Sequence, residues 1–156
     1  MTSQGVIPDV TIKDFPTFKD ARGSLTEIWR NDEMKAVVQP AMAYVSITKP
    51  DTARGPHEHV DQTDFFIFMG TAGFQMRLWD NRKNSSTFGI AQFFDCPRGV
   101  VRAVVVPPGV VHGYKNIDTE NGLILNLPDR LYAGENKKEP VDEIRHEADP
   151  TSPFHF

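Results

Sequence analysis

Two segments carry the side chains best able to do chemistry in this chain. One is Arg54-Gly55-Pro56-His57-Glu58-His59; the other runs Pro107-Pro108-Gly109-Val110-Val111-His112-Gly113-Tyr114-Lys115-Asn116. Imidazole titrates near neutrality, with an ordinary pKa of about 6.5, and it also ligates divalent first-row metals. Alternate residues of a strand point to the same face, so His57 and His59 project together, with Gln62 and Asp64 a short way on. The Pro-Pro-Gly turn delivers His112 to the start of another strand. Three imidazoles and a carboxylate converging inside a barrel either move protons or hold a metal with open positions. The residue types alone leave both roles open.

Such convergence needs a scaffold of strands. Twelve prolines and eleven glycines in 156 residues leave little room for helices. Strand-forming stretches recur at 41–48, 65–69, 74–79, 100–106 and 122–127, with a turn at Gly70-Thr71-Ala72-Gly73. Phe66 and Phe68 share one strand face and Phe65 takes the other. The pattern predicts an all-β sandwich or barrel in one domain, residues 1–156, with a core of about 18–132 and a charged tail over 133–156. The tail reads as an arm or cap, with His146 and His155 solvated.

Composition removes several function classes. A formal charge of −4 argues against a nucleic-acid surface, and no apolar run has membrane-spanning length. The N-terminus lacks a secretion-signal pattern, and the lone Cys96 cannot form an internal disulfide, so a cytoplasmic location is expected. Cys96 reads as a packing thiol.

The paired histidine segments resemble the two motifs of the cupin superfamily, small β-barrels of jelly-roll topology. Gly55, His57, His59, Asp64 and Gly70 occupy the places of the first motif, although Asp64 stands where Glu is usual. Pro107, Gly109, His112 and Asn116 satisfy the second. This resemblance implies a cupin-type jelly-roll barrel and, as one option, a divalent metal on His57, His59, Asp64 and His112.

A narrower resemblance covers most of the chain, from about Phe18 to Tyr132. Phe18-Lys19-Asp20-Ala21-Arg22-Gly23-Ser24-Leu25-Thr26-Glu27 is similar to the N-terminal signature of dTDP-4-dehydrorhamnose 3,5-epimerases. So are Arg54 to His57, Asp80-Asn81-Arg82 with Ser86-Thr87-Phe88-Gly89, and Val106 to Tyr114, all in the same order. The resemblance implies a metal-free enzyme with no cofactor that moves a proton beside the carbonyl of a nucleotide-linked 4-keto sugar. His57 matches the family's base, and His112 matches a pocket histidine. Arg22, Glu27, Arg54 and Arg82 are implied substrate contacts, with an N-terminal strand arm exchanged in a homodimer.

Departures from that pattern are specific. Thr63, with Asp64 beside it, falls where the family has an enolate-stabilising Lys. Asn126 falls near the family's general-acid Tyr and is carried as a substrate contact, while Tyr132 aligns with a different tyrosine. The C-terminal Leu-Ser-x-Lys-Asp segment, whose Asp pairs with the base, has no counterpart before Phe156. Arg54-Gly55-Pro56-His57-Glu58-His59 also resembles the Arg-Gly-x-His-x-His motif of dTDP-sugar 3,4-ketoisomerases, in which both histidines are catalytic. That likeness implies a role for His59 as second proton shuttle. The sequence therefore supports three readings: a keto-sugar isomerase, a metal-dependent cupin enzyme, or a sugar-nucleotide binding module without turnover.

Overall fold

The structure is a computed structural model that describes residues 3–156. Its strands are, in chain order, β1 (Thr11–Phe15), β2 (Thr17–Asp20), β3 (Gly23–Thr26), β4 (Tyr44–Thr48), β5 (Ala53–Glu58) and β6 (Asp64–Phe68). Next come β7 (Phe74–Asp80), β8 (Ala91–Cys96), β9 (Val101–Val106), β10 (Val110–Asn116), β11 (Gly122–Asn126) and β12 (Ile144–Arg145). A single-turn helix, α1 (Asn31–Met34), precedes β4. No helix among the described residues is long and apolar enough to cross a membrane.

Two antiparallel five-stranded sheets face each other, in the orders β1-β9-β6-β11-β4 and β12-β5-β10-β7-β8. The all-β jelly-roll expectation is met, and each strand predicted from the sequence falls on an observed one. Alternation sets the layers. Phe66 and Phe68 point between the sheets against Met76, Leu78, Val104 and Tyr114, while Phe65 and Ile67 point outward under Met34 and Val38. Each fully buried large apolar side chain contributes on the order of 2 kcal/mol, so a one-residue slip of β6 would forfeit both layers.

Both ends of the chain extend the barrel past the predicted core of 18–132. β1 pairs with β9 of the same chain, so the arm forms a sheet edge here, and the exposed β2–β3 hairpin stands apart from both sheets. The tail is structural too. β12 pairs with β5 beside His57, and Phe154 packs against the cluster of Trp79, Ala91 and Val111. Gly113 makes this possible, because a Cβ there would lie 2.6 Å from the Phe156 ring. His146 is therefore not solvated as expected: its Nε2 lies 2.9 Å from Glu58 Oε1 on the outer side of β5. His155 remains exposed.

Candidate active site

β5 and β10 belong to one sheet and place His57 opposite His112 in register. Their rings lie 4.5 Å apart, centroid to centroid, and His59 stands 5.4 Å from His57. Gly55 permits this approach: at φ +78° a Cβ would sit 2.7 Å from the His112 carbonyl oxygen. β6 of the opposing sheet supplies Asp64, which is buried between them. The three histidines and Asp64 predicted from the sequence thus meet at one point.

Asp64 organises that point. Its Oδ2 lies 3.1 Å from His59 Nε2, 3.0 Å from His112 Nε2 and 3.9 Å from His57 Nε2. Its Oδ1 accepts hydrogen bonds from Gln62 Nε2 at 2.9 Å and Asn126 Nδ2 at 3.0 Å. Burial pushes the Asp64 carboxyl pKa up, but hydrogen bonds from His112 and His59 outweigh it and hold the group well below the usual carboxylate range. Asp64 is a carboxylate at neutral pH.

The ring nitrogens turned away from Asp64 are also committed. His59 Nδ1 faces the backbone oxygen of Asp142, and His112 Nδ1 lies 2.9 Å from the carbonyl of Val110. A carbonyl only accepts, so both rings carry hydrogen on Nδ1. Each Nε2 then meets Asp64 either as a second N–H or as a lone pair facing a carboxylate. The second arrangement repels unless a cation lies between, so this is a point that collects positive charge, as protons or as a metal. Burial opposes charge on His59, yet its hydrogen bond to Asp64 and the carboxylate's charge raise its pKa above the ordinary value. Burial and the adjacent His112 instead push His57 down to about 2, leaving it neutral with a free lone pair.

His57 and His59 line an open cavity of about 1380 Å³. Arg54 lines it as well, anchored by Nη2 on the Ile47 carbonyl and Nε on Thr48 Oγ1, both at 3.1 Å. The loop after β11 forms the far wall with Arg130, Tyr132 and Lys137. Asn126, expected as a substrate contact, is instead buried behind Asp64 and does not line the cavity, its amide taken up by Phe65, Tyr44 and Asp64.

Other predicted contacts lie elsewhere. Arg82 does not reach the cavity: it is folded onto buried Asp80 at 2.9 Å and bridges to Asp9 at 3.1 Å, locking the turn after β7. Arg22 sits at the tip of the β2–β3 hairpin, 91% exposed and paired with Asp20, and Glu27 lies beyond β3 near Arg30. Neither lines the cavity formed by this chain.

Two residues were missed from the sequence. Asp142 accepts the backbone N–H groups of Val60, Asp61 and Gln62 at 2.7, 2.8 and 2.9 Å, fixing the loop between His59 and Asp64. No local motif marks it, because its partners are some eighty positions away. Tyr44 lines the cavity and its hydroxyl accepts from Asn126 Nδ2 at 2.7 Å. The inward alternation of Tyr44, Ser46 and Thr48 on one strand was the signal available for it.

A profile of the family described as dTDP-4-dehydrorhamnose 3,5-epimerase matches residues 4–141. The probable low-salt glycan biosynthesis epimerase Agl13 of Haloferax volcanii is 31% identical over 153 residues, which is 96% of this chain and 97% of that protein. The spore coat polysaccharide biosynthesis protein SpsL of Bacillus subtilis is 29% identical over 110 residues, 70% of this chain and 72% of its own. Among solved structures, a dTDP sugar isomerase from Desulfovibrio desulfuricans superposes with a TM-score of 0.80 at 19% identity, covering 96% of this chain and 91% of that one. ChmJ, a 3'-monoepimerase from Streptomyces bikiniensis in complex with dTDP-quinovose, gives 0.78 at 18% identity, over 92% and 72% of the two chains. At those identities the structures establish a shared fold.

Proposed function

Because the chain belongs to the dTDP-4-dehydrorhamnose 3,5-epimerase family, we propose that it inverts a stereocentre beside the carbonyl of a nucleotide-linked 4-keto sugar, with His57 as the base. One observation carries this reading: His57 faces the open cavity beside the paired Asp64 and His59, and burial keeps its imidazole neutral. A neutral ring can take a proton from the carbon beside a carbonyl without first losing one. Its depressed pKa rises when an anionic diphosphate enters, since negative charge nearby favours the imidazolium. Arg54 suits that diphosphate, as a planar guanidinium pairs with phosphate oxygens.

The lost Lys is offset in kind. Asp64 alone would repel a developing enolate, but His59 and His112 hydrogen-bond its outward oxygen and spread its charge. His59, charged against Asp64, is a proton-bearing group beside His57 on the same side of the cleft. If the reaction moves the carbonyl instead, as in ketoisomerases, the same pair serves the enediol, and NMR of the product separates a shifted carbonyl from an inverted centre. The primary test incubates dTDP-4-keto-6-deoxy sugars in heavy water. Deuterium should appear at C3 or C5 with inversion, and His57→Ala should abolish both. No exchange with any candidate substrate would sink the proposal.

The donor atoms of His57, His59, Asp64 and His112 all lie within 4.8 Å of one another, and this favours a second reading in which these residues hold a divalent metal. Three imidazole nitrogens and a carboxylate suit such an ion, and the Nδ1 hydrogens held by backbone carbonyls leave the Nε2 lone pairs of His59 and His112 turned inward. Bound there, a metal would act as a Lewis acid on the sugar carbonyl. The two readings exclude each other at His57, whose lone pair can serve a proton or a ligand bond. Elemental analysis of chelator-free protein decides: a stoichiometric metal lost in His59→Ala supports the second reading.

We also infer a homodimer that brings Arg22 and Glu27 to a neighbour's cleft. Phe18 and Leu25 are paired across the hairpin and 65% and 67% exposed, and edge strand β4 turns Val45 and Ile47 outward. Light scattering should give twice the chain mass, and Leu25→Glu should shift it toward one.

A further inference from the structure

We propose that Tyr44 is the proton donor that completes inversion, delivering its hydroxyl proton to the reacting carbon from the side of the cleft opposite His57. This rests on the keto-sugar reading above. Inversion needs two groups on opposite faces of one carbon, and the architecture supplies them from different sheets. His57 stands on β5 of one sheet, while Tyr44 begins β4, the edge of the other. Both line the same cavity.

The hydrogen-bond pattern shows why this hydroxyl is available. Asn126 lies directly opposite Tyr44 in the β11–β4 register. Its Oδ1 accepts from the backbone N–H of Phe65 at 3.1 Å, which fixes the orientation of the amide. Its Nδ2 hydrogens go to Asp64 Oδ1 at 3.0 Å and to the Tyr44 oxygen at 2.7 Å. Tyr44 therefore accepts from Asn126, and its own hydrogen has no acceptor among the described residues. Tyr44 lines the cavity and is 46% exposed, so a molecule bound there can reach it.

Other cleft hydroxyls fit less well. Tyr114 is only 4% exposed, with its Oη 3.2 Å from Ser46 Oγ, so this hydroxyl lies in the core beneath the cleft. Tyr132 is 54% exposed on the wall, with no hydrogen bond to Asn126 or Asp64 to hold its ring. Burial raises the Tyr44 phenol to about 12, so it keeps its proton until a stronger base appears. The carbon of an enolate is such a base.

The step balances. The carbon–hydrogen pair becomes the enolate double bond as His57 takes the proton and the carbonyl oxygen gains negative charge. The pair then returns to carbon as a new bond to the Tyr44 proton, leaving a phenolate that the Asn126 N–H stabilises. His57 releases its proton to water in the open cleft and Tyr44 takes one back, so no oxidant or further reactant is needed.

The test separates exchange from inversion, again with dTDP-4-keto-6-deoxy sugars in heavy water. In Y44F, His57 still removes the proton and returns deuterium to the same face. Exchange should stay within about tenfold of wild type while inversion falls by about 100-fold or more. A fluorinated tyrosine at position 44 keeps the hydroxyl and makes it a stronger acid, so the ratio of inversion to exchange should rise. Inversion surviving in Y44F, or inversion and exchange falling together, or an unchanged ratio with fluorotyrosine, would each overturn the proposal. So would loss of inversion in Y132F with Y44F active. Absence of exchange in the wild-type protein instead brings down the keto-sugar reading itself, a different result from a loss confined to Y44F.

Discussion

Two buried aspartates, Asp64 and Asp80, are each 1% exposed and each held well below the usual carboxylate pKa. Their partners differ. Asp80 is surrounded by donors that never change state: Arg82 through its backbone N–H, Nε and Nη2, and the hydroxyls of Ser85 and Thr87 at 2.6 Å. Asp64 is held by His59 and His112, whose Nε2 atoms can gain a proton, lose one or bind a cation. The first carboxylate closes a turn and pins the N-terminal segment. The second faces a cavity through groups that can exchange what they carry. A buried charge met by fixed donors is architecture, and one met by conditional donors can do chemistry.

The sharpest way to break that distinction is at the reacting end of the Asp64 cluster. His57→Ala should lower deuterium exchange by about 1,000-fold, the scale of a lost general base, with the thermal midpoint barely moved. A comparable loss of stability would make His57 part of the scaffold.

Next in size is the same substitution at both carboxylates. In Asp80→Asn the new N–H faces Arg82, which cannot accept and loses its counter-charge, so stability should fall by about 3 kcal/mol and the midpoint by roughly 10 °C. In Asp64→Asn the imidazole lone pairs can accept the new N–H, so the fold should survive while exchange falls about 100-fold. Thermal melts and exchange rates on the two variants would reverse the assignment if the losses trade places.

A smaller effect appears in acid. The Asp80 pKa is depressed in the fold, so its stabilisation is complete above the unfolded value of about 3.9 and is lost as pH falls toward the lower folded value. Urea denaturation between about pH 5 and 2 should show a shallower decline in Asp80→Asn than in wild type. The smallest effect tests the outer side of β5. His146→Ala removes the 2.9 Å contact to Glu58 and should cost about 1 kcal/mol with exchange unchanged, separating this histidine from those on the inner side.

Much of the site was legible because its order is local. The His-x-His spacing placed His57 and His59 together, the Pro-Pro-Gly turn placed His112, and Asp64 followed close behind. Arg82 misled because its motif marks a turn, and a motif does not tell whether a guanidinium faces substrate or a buried carboxylate. His146 misled because a polar, Pro-containing tail looks solvated until β12 is seen to pair with β5.

By itself the sequence determined the strand class, the alternation that splits Phe65 from Phe66, the barrel, and the residues able to carry protons or a metal. These follow from periodicity and turn chemistry acting over a few residues. Only the tertiary structure decided that Asp64 meets the histidines from the opposing sheet, that Asp142 returns from the tail to fix the loop beside them, and that Asn126 links Asp64 to the Tyr44 hydroxyl. Those contacts join positions far apart in the chain, and their geometry is set by sheet register and packing, which no short stretch of residues encodes.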